Sequence, residues 1–333
     1  MASFELARDS EFYSVTITST ILQTLNLLGA AYVFYRSFLH WRAKEYGSLA
    51  MTHRLPLYAA STDFFNAGLN IINAGYTLCN AKTLPEVPCA ATGWMTAILS
   101  FINQFLFLGI SLVTYLRICQ HKTIDLGRFD YKLISFSLFI AGFIIVIVSR
   151  DGYGAQKYWC AQKAHAKISL IIPLVEISLV ALISLFCYVE TLRTLLRNRK
   201  ELNRGTSSNA QRQRYAQIEE RVTRKIITYV LFFNLQWLPI VVYAGAALLQ
   251  PMGIDTWVYL VGVIGLSFGG IGNAIAYVLN EGWDPNRQGS TSRSQKFTPP
   301  TNNSPQTTCN ELLAIKVDVD VDVLAVKGIK DSF

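Results

Sequence analysis

Seven long apolar stretches divide the chain, at Tyr13–Tyr35, Leu55–Cys79, Gly93–Ile118, Leu133–Ser149, Ile168–Val189, Ile226–Leu249 and Trp257–Leu279. A hydrocarbon core about 30 Å thick takes about 20 helical residues to cross, and most of the stretches reach that length. The fourth is the shortest and borrows Tyr131 and Lys132 at its rim. Inside lipid, only helices and closed barrels satisfy every backbone polar group. The stretches lack the period-2 alternation of barrel strands, so each predicts a helix. The pattern predicts an all-α membrane protein, a seven-transmembrane helix bundle.

The polar segments between the stretches set the predicted topology. One set of loops, with the C-terminal tail and Arg117 at its rim, carries 24 Lys and Arg; the opposite set carries 6. Basic residues mark the cytoplasmic side, so the N-terminus is expected outside and the C-terminus inside. The net charge of +8 is therefore read as topological, and no nucleic-acid partner is expected. The organisation is a short outer N-terminus at 1–12, a seven-helix domain at 13–280 and a cytoplasmic tail at 281–333. The tail is rich in Ser, Thr, Pro and Asn, a disorder composition, before Val and Asp alternate from Val317 to Val323. The acidic segment before the first stretch does not fit a cleavable signal, and the first helix is expected to anchor the chain.

Cysteine adds a constraint at the outer side. Cys79, Cys89 and Cys160 lie there, where disulfides form. A Cys89–Cys160 bridge would pin the loop between the fourth and fifth helices over the bundle mouth. Cys79 competes for Cys160 in this reading. Cys119 and Cys187 read as packing residues.

Two carboxylates fall inside the stretches, Asp63 and Glu176. Each costs at least about 2.5 kcal/mol near a bilayer centre, so each should face protein or water. Asp63 is placed about a turn and a half inside its helix, and Glu176 one turn after Pro173. Their roles stay open between a hydrogen-bonded structural carboxyl and a polar switch. Asn103, Gln104, Glu176 and Gln236 are the candidate lining of a ligand cavity; bonding across helices is the plainer alternative. Gln236-Trp237-Leu238-Pro239 places a proline kink one half-turn beyond a tryptophan. Gly265 and Gly269 stand at the i,i+4 spacing of close helix contact. Arg117, Arg221, Arg224 and Lys225 form a basic inner rim. The four histidines are scattered through loops, so no metal cluster and no cofactor are expected.

Together these positions resemble a G-protein-coupled receptor over about 13–283. Asp63 matches the second-helix aspartate of the rhodopsin-like family. Trp237 and Pro239 match its Trp-x-Pro. Asn273 and Tyr277 match its Asn-Pro-x-x-Tyr, with Ala274 in place of the proline. Cys89 and Cys160 match its disulfide. The third-helix Asp-Arg-Tyr is missing, since Arg117 follows Tyr115-Leu116 without an acidic neighbour. Arg54-Leu55-Pro56-Leu57-Tyr58, Tyr158-Trp159-Cys160 and Asn280-Glu281-Gly282 look closer to the cyclic-AMP-receptor-like group of slime moulds and fungi. The resemblance implies a non-enzymatic receptor, in the plasma membrane. It would hold a small ligand within the bundle and engage a heterotrimeric G protein. Asp63, Trp237, Pro239, Asn273 and Tyr277 would then carry the signal, and Arg117, Arg221, Arg224 and Lys225 would meet the G protein. A retinal protein needs a lysine in the seventh stretch, which has none. A transporter or channel would carry more intramembrane charge and broken helices. The short N-terminus favours a small ligand. The outer-loop cations Arg150, Lys157, Lys163 and Lys167 suit an anion, or are solvated loop charges.

Overall fold

The computed structural model describes residues 10–43, 51–120, 122, 124–127, 130–148, 152–163, 167–204, 210–249 and 255–281; at 40, 43, 51–53, 55, 148, 167, 169, 198–204, 210–226 and 281 only the backbone is described. The Val317–Val323 alternation lies outside the described residues. Seven helices occupy the described chain: α1 Ser10–Ala43, α2 Met51–Asn80, α3 Glu86–Cys119, α4 Tyr131–Val148, α5 Lys167–Arg204, α6 Ala210–Leu249 and α7 Thr256–Glu281. Each covers one predicted stretch, except that Ser149 at the end of the fourth lies outside the described residues. The longest have 34 to 40 residues, or about 50–60 Å at 1.5 Å per residue, and overshoot a 30 Å hydrocarbon core. α4 begins at Tyr131 with 18 residues, which is why the fourth stretch is short.

The amphipathic pattern is inverted relative to a water-soluble bundle. Ile17, Ile21, Leu25 and Leu28 form an exposed apolar stripe on α1, and Phe139, Phe143, Val146 and Ile147 do so on α4. Polar Gln23, Asn26, Asn73, Asn103 and Gln104 are buried. A surface this apolar fits lipid, where burying polar groups within the bundle removes their cost. Five helices contain windows long and apolar enough to cross a membrane, and Tyr131–Ile147 is apolar but shorter. α2 offers no such window among the described residues; its apolar stretch carries Asp63, Asn66, Asn70, Asn73 and Thr77. Together these features make the chain a multi-pass membrane protein.

α3 is the central post. It packs on α2, α4, α5 and α6, while α1 closes the bundle against α2 and α7. Phe101, Phe105, Phe107 and Ile110 of α3 meet Phe233, Trp237 and Ile240 of α6 in the main core. Phe107 and Phe233 stack with centroids 4.5 Å apart.

Two short strands between α4 and α5 were not foreseen from sequence. β1 (Tyr153–Ala155) and β2 (Cys160–Gln162) pair antiparallel, Tyr153 opposite Gln162 and Ala155 opposite Cys160. Three residues per strand are too few for a periodic signal.

Candidate functional site: a covered mouth above a polar relay

The hairpin is held by its cysteine. Cys160 is bonded to Cys89 in the first turn of α3, with Cα atoms 5.1 Å apart. Cys79 is exposed and free. Gly93, one turn along α3, lets the hairpin sit close: a Cβ there would lie 3.3 Å from the Ala161 Cα. The hairpin tip is fastened to α6, where the Tyr243 hydroxyl lies 2.8 Å from Gln156 Oε1. Tyr158 and Trp159 complete an aromatic cluster with Tyr259 of α7 and Tyr243. The Lys157 ammonium lies 4.9 Å from the Tyr158 ring centre and 3.9 Å from the Glu11 carboxylate. A hydrogen bond to Tyr158 pushes the Lys157 ammonium pKa above its ordinary value.

Deeper in the bundle, Asp63 gathers three helices. Asn273 of α7 donates to Asp63 Oδ2 at 2.6 Å, and Asn103 of α3 donates to Oδ1 at 3.3 Å and to Thr62 Oγ1 at 2.7 Å. All three residues are buried. Gly269 of α7 makes the approach possible: a Cβ there would lie 2.5 Å from Asp63 Oδ1 and 2.7 Å from Gln236 Nε2. Asp63 stands three turns beyond the start of α2 at Met51, because that helix begins before its apolar stretch does; the turn and a half read from sequence is too shallow. The second carboxylate is separate. With the Gln104 amide turned to donate, its nitrogen lies 2.8 and 3.2 Å from the two Glu176 oxygens. The four residues read as one cavity lining thus fall into two groups, Asn103 and Gln236 with Asp63, and Gln104 with Glu176.

Trp237 is buried next to Phe233 on α6. Pro239 faces Gly265, where a Cβ would lie 3.1 Å from its ring, so the glycine serves the helix contact expected of it. Tyr277 is fully buried with Ala30, Val33 and Ala60 of α1 and α2. Asn26 of α1 accepts from the Gly270 amide, a tie no motif announced. At the end opposite the hairpin, Arg54 meets Asp130 at 3.3 Å with both side chains largely buried. Arg117 is exposed in the last turn of α3. Arg221, Arg224 and Lys225 lie on α6, and their side chains fall outside the described residues. The site therefore runs from a disulfide-held roof, through a three-helix carboxyl–amide cluster, to Trp237 and the proline of α6.

The arrangement is similar to the crystal structure of squid rhodopsin, with a TM-score of 0.67 and 16% sequence identity over 90% of this chain and 95% of that one. At that identity the likeness shows the fold: a rhodopsin-type seven-helix bundle. No protein-family model and no curated protein sequence matches the chain.

Proposed function

We propose that the chain is a G-protein-coupled receptor, not an enzyme, and that it resides in the plasma membrane. It takes a small extracellular ligand into the bundle and activates a heterotrimeric G protein through movement of α6. The observation that carries this reading is the Asp63–Asn103–Asn273 cluster. It ties α2, α3 and α7 together, and Gly269 brings Gln236, the neighbour of Trp237 on α6, to the same point. A ligand can bias only an equilibrium between packings it binds differently. A hydrogen-bonded cluster shared by several helices, beside a helix that carries an internal proline, is suited to having two such packings.

In this reading Asp63, Trp237, Pro239, Asn273 and Tyr277 transmit, while Arg117, Arg221, Arg224 and Lys225 contact the G protein. The Gln104–Glu176 pair serves as a polar wall between α3 and α5. The Arg54–Tyr58 and Tyr158–Cys160 segments, with Asn273–Tyr277 and Asn280–Gly282, support a reading within the cyclic-AMP-receptor-like group. A ligand panel on cells expressing the chain, read by dissociation of G-protein subunits, tests the proposal. At least one ligand should cause dissociation that untransfected cells lack. Ligand-dependent solute or ion flux without dissociation would replace the receptor by a transporter or channel.

A further inference from the structure

Under the hairpin, between α1, α2, α3 and α7, lies a cavity of about 40 Å³ that the Asp63 cluster does not border. Its polar wall is Thr16, Ser19 and Gln23 of α1, Asn70 and Asn73 of α2 and Thr96 of α3. Its apolar wall includes Val15 and Val263, and Trp159 and Cys160 form its roof. No charged residue lines it. Two of its polar atoms are buried without a hydrogen-bond partner, Asn73 Oδ1 and Thr96 Oγ1. Asn73 is 1% exposed. A buried orphan acceptor is costly and rare, and needs an explanation.

We propose that this cavity binds a small uncharged ligand that donates an N–H or O–H to Asn73 Oδ1, shares a hydrogen bond with the Thr96 hydroxyl and lays an apolar face on Val15 and Val263. An amide or an alcohol has that chemistry. A carboxylate does not, since it would bring a second acceptor against Asn73 Oδ1 with no cation in the lining to offset its charge. An ammonium group would lose its hydration without a counter-ion. The volume, room for about three waters, limits the inserted part to a few heavy atoms. The basic residues of the outer loop therefore do not select the ligand; the neutral cavity beneath them does. The roof explains the disulfide's place, because Cys160 is at once a lining residue and the tether to α3. The inference names the ligand class of the proposed receptor and rests on that reading for its signalling consequence alone.

The test uses the full chain in lipid nanodiscs with acetamide as probe and acetate as its charged isostere, followed by ligand-observed NMR. Acetamide should bind saturably, and acetate at least about ten-fold more weakly. Asn73→Leu and Thr96→Val should each weaken acetamide by about ten-fold, the factor that about 1.4 kcal/mol of hydrogen bonding corresponds to. Phe139→Leu, on the exposed face of α4 and outside the cavity, should leave it unchanged. Thermal midpoints in the same nanodiscs identify any variant that fails to fold, and Thr96→Val supplies an independent removal of an orphan atom. Equal binding of acetate, equal binding to the folded variants, or no saturable acetamide signal, leaving water as the sole occupant, would each overturn the inference. Binding of acetamide without any G-protein activation would sink the receptor reading and leave the site standing. Activation by other ligands without acetamide binding would do the reverse.

Discussion

Gly269 shows how much a single position decides. Its missing side chain leaves room for Asp63 Oδ1 and Gln236 Nε2, groups from two other helices. Gly269→Ala should force them apart and lower thermal stability by about 1–3 kcal/mol, the usual cost of overpacking. A variant that melts with the parent would show that the cluster has slack. Tyr153 offers a second residue-scale test, outside the membrane. Burial of this β1 side chain against α3 raises its phenol pKa from 10.0 to about 12. The folded state then favours the neutral phenol. Its contribution is complete below pH 10 and is lost as pH rises from 10 to 12, about 2–3 kcal/mol in all. Tyr153→Phe should remove that alkaline loss from a stability–pH curve; identical curves for parent and variant would refute it. Of these two residues, the sequence advertised only Gly269, through its spacing from Gly265. Tyr153 carries no motif, and its burial follows from a hairpin too short to predict.

At the scale of elements, the seven helices were legible because each is a long apolar run, and lipid demands such runs wherever the backbone crosses it. The cysteine pairing was legible only in part: Cys79 competed for Cys160, and the position of Cys89 just before the third stretch, with the family resemblance, favoured the pair that forms. The internal connections were not. Asn103 and Gln104 are sequence neighbours with the same apparent polarity, yet one turns to Asp63 and the other to Glu176. Helical rotation separates their directions by about 100°, and nothing in the local sequence says which helices stand on either side. The Asn26–Gly270 and Arg54–Asp130 ties, and the neutral cavity, depend on that same knowledge of neighbours. The hairpin supplies an element-scale prediction. Cys160→Ser should free a loop whose ends are 71 residues apart, at a cost of about 4 kcal/mol on the chain-entropy estimate. Melting in detergent would show the loss, and ligand binding should weaken with it. A Cys160→Ser chain as stable as the parent would mean that Tyr243, Gln156 and the aromatic cluster hold the roof unaided.

For the whole molecule, the expected orientation rests on charge. The hairpin and its disulfide lie at the end that the 24-to-6 distribution of Lys and Arg assigns to the oxidising side. Tags at the two termini of intact cells should label at the N-terminus only; labelling of the C-terminal tag without permeabilisation would reverse the orientation. The central claim is that a ligand beneath the roof biases the packing of α6 through the Asp63 cluster and Trp237, and that the opposite end then engages a G protein. Its most direct test is nucleotide exchange by purified G-protein α-subunits on vesicles holding the chain, its Trp237→Ala and Pro239→Ala variants, and no receptor, with ligand binding followed on the same vesicles. The parent should accelerate exchange when ligand is added, and both variants should bind ligand while losing at least about ten-fold of that acceleration, a coupling change within the 1–3 kcal/mol range typical of allostery. Exchange as fast with both variants as with the parent, or no acceleration by the parent across a broad panel of α-subunits and ligands, would contradict it.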